Sequence, residues 1–281
     1  MATIVSILGC GWLGLPLAEF LVNKGFSVKG STTREEKIAK LKQAGVQPFL
    51  LNFTPHPQRE QLDSIPDFLK TDILIIAIPP GVSHHGEDFH PMQILHLSEH
   101  LKLSSINKII YISSTSIYPD TGEVTESTNI SGEETSNAAL RCAEEILCGL
   151  HRKPTILRCG GLMGYDRVPG RYFIGKKELP TGNVPVNFVH RDDVINIIYE
   201  VIRQEKWGEI YNIVAPEHPV RRDIYASNAR DFGWEAPTFL EGKTPEHKLV
   251  DGSKVIKDLN YKFIYPDPLT FKYDSPARRN S

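Results

Sequence analysis

Cysteine is scarce in this sequence of 281 residues: only Cys10, Cys142, Cys148 and Cys159 occur. Their spacing fits no zinc pattern, and four thiols in a chain of this length make no disulfide framework. Reduced thiols in a cytoplasmic protein are the simplest expectation. No apolar run approaches the ~20 residues that cross a bilayer, so no membrane partner is expected. An excess of one charge is missing too, since 32 Lys and Arg face 34 Asp and Glu for a net charge of −2. That balance gives no electrostatic reason to expect nucleic acid or an anionic membrane as a partner. The apolar opening contains Ile7-Leu8-Gly9-Cys10, a look-alike of a lipoprotein cleavage box. It carries no basic residue before Lys24 and is too short ahead of Cys10, so no targeting segment is expected.

What is present suits a packed core: 40% hydrophobic and 23% charged residues. The length suggests roughly two structural units at ~150 residues each. Apolar, β-branched runs at 3–8, 26–30, 46–53, 73–78, 108–113 and 154–160 read as strands. Between them, helical spacing predicts helices from Trp12 to about Gly25, at 33–44, 92–104 and 136–150, the last with Ala139, Ala143, Ile146, Leu147 and Leu150 on one side. The continuous apolar run 73–78 must be covered on both faces, as in a parallel sheet between helix layers. This alternation predicts an α/β fold, a doubly wound parallel sheet of the Rossmann kind, with a smaller C-terminal α/β domain. The expected division is a dinucleotide-binding domain over 1–165, to which 184–215 returns, a smaller substrate-side domain over 166–275, and a frayed tail at 276–281. In the later part a strand and helix are expected over 184–202, a strand at 208–215, and helices at 221–232 and about 252–259.

Gly9-Cys10-Gly11-Trp12-Leu13-Gly14 spells GxGxxG directly after a strand and at the opening of a helix, the context that gives the pattern weight. Gly9 permits a tight turn, Gly11 a close backbone approach to a pyrophosphate, and Gly14 close helix–strand packing. The amides around 10–13 would face the diphosphate, assisted by the helix dipole. An NAD site usually sets a carboxylate at the end of the second strand; here stand Ser31, Thr32, Thr33 and Arg34. Hydroxyls with a guanidinium suit a 2′-phosphate, so NADP is expected ahead of NAD. The alternative is that the hydroxyls cap the next helix and Arg34 is solvated. Pro79, Pro80 and Gly81 end the fourth strand on a loop expected to border the nicotinamide, followed by His84 and His85.

Ser113-Ser114-Thr115-Ser116-Ile117-Tyr118 closes the 108–113 strand at the edge where such sheets bind ligands. Its hydroxyls could bond a substrate carbonyl or hydroxyl; the alternative is a plain Ser/Thr turn.

Together with LRCGGLMG (157–164), NFVHRDDV (187–194), IYNIVAPEHP (210–219) and YPDPL (265–269), these segments resemble an extended short-chain dehydrogenase/reductase of the NAD(P)-dependent epimerase/dehydratase group, and within it the YeeZ-type bacterial proteins. The resemblance implies an NAD(P)-binding oxidoreductase or epimerase-type enzyme on a small polar substrate, with Ser114, Thr115 and Tyr118 at the catalytic position. It also implies a homodimer through helices flanking the sheet as one expected state, and Asp193 as a helix cap. The chain departs from the family at the Tyr-x-x-x-Lys pair, whose positions fall on Ser136 and Leu140, or on Asn137 and Arg141 one residue on. Without that phenol, ordinary hydride transfer loses a proton donor worth about 10²–10⁴-fold. Tyr118, Tyr165, His84, His85 and His190 are the candidate substitutes, although His190 lies in a segment that the resemblance makes architectural. A non-catalytic module holding NADP(H) is the alternative reading. His96 and His100 sit at i,i+4 near carboxylates, but no HExxH motif is present and no metal is expected.

Overall fold

A computed structural model describes residues 2–54, 63–81, 85–131, 137–242 and 244–274. The expected tail at 276–281, His84 and Ser136 lie outside the described residues. The chain runs β1 (Ile4–Leu8), α1 (Gly14–Asn23), β2 (Ser27–Thr32), a 3₁₀ turn (Glu35–Lys37), α2 (Ile38–Gln43), β3 (Gln47–Leu50), α3 (Ile65–Phe68), β4 (Ile73–Ile76), α4 (Phe89–Lys102) and β5 (Lys108–Ser114). It continues through β6 (Gly122–Val124), α5 (Ala138–Cys148), β7 (Thr155–Cys159), β8 (Gly161–Met163), β9 (Phe188–His190), α6 (Arg191–Arg203), β10 (Ile210–Ile213), α7 (Arg221–Phe232), β11 (Lys248–Val250) and α8 (Ser253–Leu259).

Seven strands form one parallel sheet in the order β3-β2-β1-β4-β5-β7-β10. This is the doubly wound arrangement that the alternation predicts, and its order reverses between β1 and β4. All of β4 is buried, as a strand covered on both faces requires. On α1, the buried residues Gly14, Leu17, Ala18 and Leu21 recur at the three- and four-residue spacing of one helical face. The strand β2 runs on to Thr32, beyond the predicted end at Gly30, because Ser31 and Thr32 pair with Phe49 and Leu50 of β3.

The chain divides into two compact units. The first comprises Met1–Ile117, Ile130–Arg158 and Ile198–Tyr211; the second comprises Tyr118–Asn129, Cys159–Ile197 and Asn212–Ser281. The second holds two small parallel pairs, β6 with β11 and β8 with β9. Each of these strands has three residues, too short for alternation to reveal in sequence. The Asp193 carboxylate does not cap a helix. It accepts bonds from Tyr261 Oη (2.8 Å) and the amides of Ile264 (2.7 Å) and Tyr265 (3.1 Å), and so ties the 261–265 segment to α6. Burial raises its pKa, against the pull of those bonds. The Asp192 amide at the start of α6 donates instead to His190 Nδ1 (3.2 Å).

The buried face of α5 differs from the predicted one. Ala139, Leu140, Ala143 and Leu147 are buried, but so is Glu144, while Ile146 is only half-buried. Glu144 accepts from Arg158 Nε (3.1 and 3.2 Å) and Nη2 (2.6 Å) on β7 and from Ser113 Oγ (2.6 Å) on β5. The carboxylate is thus the hub that joins one helix to two strands. Removing one partner of a buried pair strands the other charge, which costs about 3–5 kcal/mol, whereas replacing both by apolar groups is near neutral. Glu144→Gln is therefore expected to lower stability to urea by roughly that amount. The double replacement Glu144→Leu with Arg158→Met is expected to recover much of it. Equal losses in the two proteins would show that the ion pair is not the source.

Candidate functional site

The end of β1 meets the start of α1 through backbone alone. Gly9 has φ +101°, and a Cβ there would lie 3.0 Å from the Ala77 backbone beyond β4. A Cβ on Gly14 would lie 2.2 Å from the Gly9 carbonyl oxygen. Around Gly11, by contrast, an added Cβ would find nothing within 4 Å. Of the amides expected to face a diphosphate, two turn inward: Cys10 donates to Ser31 O (2.8 Å) and Gly11 to Gly9 O (2.8 Å). The Gly9 amide joins them by donating to Ser31 Oγ (2.9 Å). Among the described residues the amides of Leu13 and Gly14 meet no protein acceptor. The Cys10 thiol is buried beneath this loop, and burial pushes its pKa up to about 12, which makes it packing rather than a nucleophile.

A cavity of about 220 Å³ opens over these glycines at the β1/β4 reversal. Gly9, Gly11, Ser31, Thr32, Thr33, Arg34 and Pro79 line it together, as do Lys37, Asn52, Phe53, Ile78 and Gln93, which the sequence did not single out. Trp12, Leu13, Gly14 and Pro80 are not among its walls. At the end of β2, Ser31 is engaged by Gly9, and Thr32 Oγ1 accepts from the Arg34 amide (3.2 Å). No side chain caps the 3₁₀ turn that follows, so the hydroxyls organise the loop rather than the helix. Thr33, Arg34 and Lys37 remain at the rim, with no carboxylate among the walls.

Gln93 fixes the opposite wall. Its Nε2 donates to the Phe53 carbonyl, which turns Oε1 toward His90 Nδ1 (3.4 Å). His90 must then donate from Nδ1 and accept at Nε2 from Tyr111 Oη (2.7 Å). Both rings are fully buried. Burial lowers the His90 pKa, opposed by the bond to Gln93.

The Ser113–Tyr118 segment divides by environment. Ser113 serves Glu144. Ser114 is half-buried and accepts from the Ser116 amide (3.1 Å), Thr115 is buried, and Ser116 Oγ accepts from Asn137 Nδ2 (3.3 Å). Tyr118 has no exposure, and its hydroxyl donates to Asn212 Oδ1 (2.7 Å), so in this arrangement it cannot serve as a proton donor to a ligand. Asn137 caps α5 by accepting from the Leu140 amide (3.1 Å), Leu140 is buried, and Arg141 pairs with Glu145 (3.4 Å).

The remaining candidates are engaged as well. His85 stacks on Phe89. Tyr165, strained at φ +56°, donates to Asp192 Oδ2 (2.7 Å) beneath the Arg191 guanidinium (3.9 Å). His190 is fully buried beside Tyr265, and its ring forces glycine at 164, where a Cβ would lie 2.4 Å away. Among the described residues no group of three or more His, Cys, Asp or Glu could hold a metal ion, and no helix is long and apolar enough to cross a membrane.

No protein-family model matches the chain. Over 272 residues it is 36% identical to protein YeeZ of Escherichia coli K12, covering 94% of this chain and 97% of YeeZ. Among solved structures it is similar to UDP-glucuronic acid 4-epimerase from Bacillus cereus, in complex with UDP-glucuronic acid and NAD (TM-score 0.76, 19% identity, 96% of this chain and 98% of that one). It is also similar to UDP-N-acetylglucosamine 4-epimerase from Bacillus cereus (TM-score 0.73, 16% identity, 96% and 97%). A functionally unknown conserved protein from Silicibacter pomeroyi shares the fold at TM-score 0.71 and 18% identity over 96% of each chain.

His90 and His190 both have lowered pKa values, chiefly through burial. Unfolding lets each return to an ordinary value near ~6.5 and bind a proton that the folded form refuses. Their contribution to stability is thus full above about pH 6.5 and is lost as the pH falls toward the folded-state pKa values. The urea midpoint is expected to drop between pH 7 and pH 5, and His90→Gln to flatten that decline. A variant with an unchanged pH slope would remove His90 from the account.

Proposed function

The chain belongs to the family of Escherichia coli protein YeeZ, and from that premise we propose that it holds a nicotinamide dinucleotide, NADP in preference to NAD, in the cavity at the β1/β4 reversal. The reading rests on one observation: a backbone cradle left open at Gly11 beside a rim that carries Arg34 and Lys37 and no carboxylate. The donor set fits the group. The open backbone at Gly11 leaves room for a diphosphate to approach, and the dipole of α1 favours its charge. Arg34 offers a forked donor to a 2′-phosphate, with Lys37 as a second point charge. Phe53 and Ile78 supply apolar wall, and Asn52 and Gln93 supply polar groups, for a heterocycle. Such a cofactor, when bound, supplies a hydride donor or acceptor.

The reaction we infer is of the oxidoreductase or epimerase type on a small polar substrate. Ser114, with Thr115 behind it and Ser116 held by Asn137, would bond a substrate carbonyl or hydroxyl. A homodimer through the helices that flank the sheet belongs to the same reading. A second reading, a module that holds NADP(H) without turnover, is favoured by the capping role of Asn137 and the pairing of Arg141 with Glu145, one of the two registers in which the resemblance would set the pair.

Calorimetry with NADPH and NADH tests the first claim. Arg34→Ala is expected to weaken NADPH about 10–100-fold, the equivalent of one charge-assisted bond, and NADH by less than about threefold. Equal losses would defeat the 2′-phosphate assignment. No binding of either coenzyme at millimolar concentration would defeat the cofactor itself. The two readings part on a panel of carbonyl compounds and nucleotide sugars. Substrate-dependent NADPH oxidation that falls about 10-fold or more in Ser114→Ala supports the enzyme. NADPH bound with no turnover across the panel supports the module.

A further inference from the structure

The histidine pair on α4 belongs to no part of the site above. His96 and His100 are one turn apart, and their Nε2 atoms share a hydrogen bond at 3.3 Å. Helical spacing alone brings only the Cβ atoms of such residues near one another. Here the ring nitrogens converge as well. Two nitrogens each ~2.0–2.1 Å from a tetrahedral ion stand about 3.3–3.4 Å apart, so the pair already has a chelating separation.

Two further features favour an ion. The Phe53 ring packs near both imidazoles, with centroids 5.5 Å from His96 and 6.5 Å from His100, and restrains the rotamers that converge. His100 borders a cavity of about 300 Å³, separate from the dinucleotide cavity, lined also by Lys70, Ser104 and Ser105. That space admits water or a small anion as the remaining ligands. Among the described residues no third side chain completes the set, which leaves an open coordination sphere rather than a closed structural one.

We propose that His96 and His100 form a bidentate site on α4 for a late first-row divalent cation, completed by solvent and ranked Cu²⁺ above Ni²⁺ and Zn²⁺. Imidazole suits these ions, and the ranking follows their ordinary order of affinity.

The test uses the full chain without a histidine tag, titrated calorimetrically with Cu²⁺, Ni²⁺ and Zn²⁺ in a weakly coordinating buffer. One site per chain is expected. His96→Gln and His100→Gln should each weaken Cu²⁺ at least tenfold, and the double variant should be little worse than either. His247→Gln, distant in sequence and on another element, should bind within about twofold of the unaltered chain. Copper should also broaden the imidazole NMR signals of His96 and His100 in the unaltered protein at substoichiometric ratios, a readout that needs no variant to fold. The proposal is overturned if the double variant binds as tightly as the unaltered chain, if His247→Gln loses as much, or if millimolar metal leaves those two signals sharp. Because no step involves coenzyme, failure here leaves the dinucleotide reading standing, and failure of coenzyme binding leaves this site standing.

Discussion

The molecule is organised around a contact that has no side chain in it. Gly14 lies so close to the carbonyl of Gly9 that a methyl group could not be placed between them, and Gly9 in turn abuts the backbone that leaves β4. The first strand, the first helix and the neighbouring strand beyond the order reversal are therefore drawn together at one point. The helix can only leave β1 at the angle that this contact allows. Its N-terminus is thereby fixed over the sheet's C-terminal edge, where unpaired amides and the helix dipole favour an anion. Ser31 secures the same turn from β2, with its hydroxyl taking the Gly9 amide and its carbonyl taking that of Cys10.

That fastening also decides the character of the rim. A residue that must accept an amide at the end of β2 is not free to bind a ribose, and Ser31 meets the local need without a charge. Thr32 is likewise engaged with the Arg34 amide. The groups left over are cationic, and Glu35 and Glu36 lie exposed on the turn instead of among the cavity walls. The electrostatic sign of the cavity thus follows from which hydroxyls the loop consumes. Opposite, Gln93, His90 and Tyr111 form a buried chain in which each partner's donor sense is dictated by the last, so the Phe53 wall is held by a network with one consistent protonation state.

Much of this could be read from the sequence, for a physical reason. The elements β1, α1, β4 and β5 carry strong local patterns, and GxGxxG between a strand and a helix marks its own location. The chain similarity to YeeZ agrees with the resemblance those segments carry. What stayed hidden depends on partners far along the chain. Nothing near Glu144 reveals that Arg158 and Ser113 will bury it, so the face of α5 was assigned to Ile146. Asn52, Phe53 and Gln93 reach the cavity from separate elements and have no motif of their own. Tyr118 shows the opposite failure. Its place after the Ser/Thr run is legible, but its complete burial against Asn212 is a property of the packed fold. Asp193 is expected as a helix cap from the resemblance, but its partners at 261–265 are some seventy residues away, beyond the reach of local pattern.

The positions where the resemblance would set a Tyr-x-x-x-Lys pair fall at the start of α5, and the described residues there are packed or hydrogen-bonded within the fold. The helix begins at Ala138 under an Asn137 cap, and Leu140 sits on the face it buries. One turn further on that face lies Glu144, already held by Arg158 and Ser113. A lysine placed at 140 would find this carboxylate at i+4 and would be drawn toward the buried ion pair. In the other register, a phenol at 137 would remove the cap, a loss of about 1 kcal/mol, and with it the bond that holds Ser116. The polar resources of this helix serve the interior and the Ser114–Ser116 turn. Through Asn137, the start of α5 also positions Ser116 of that turn.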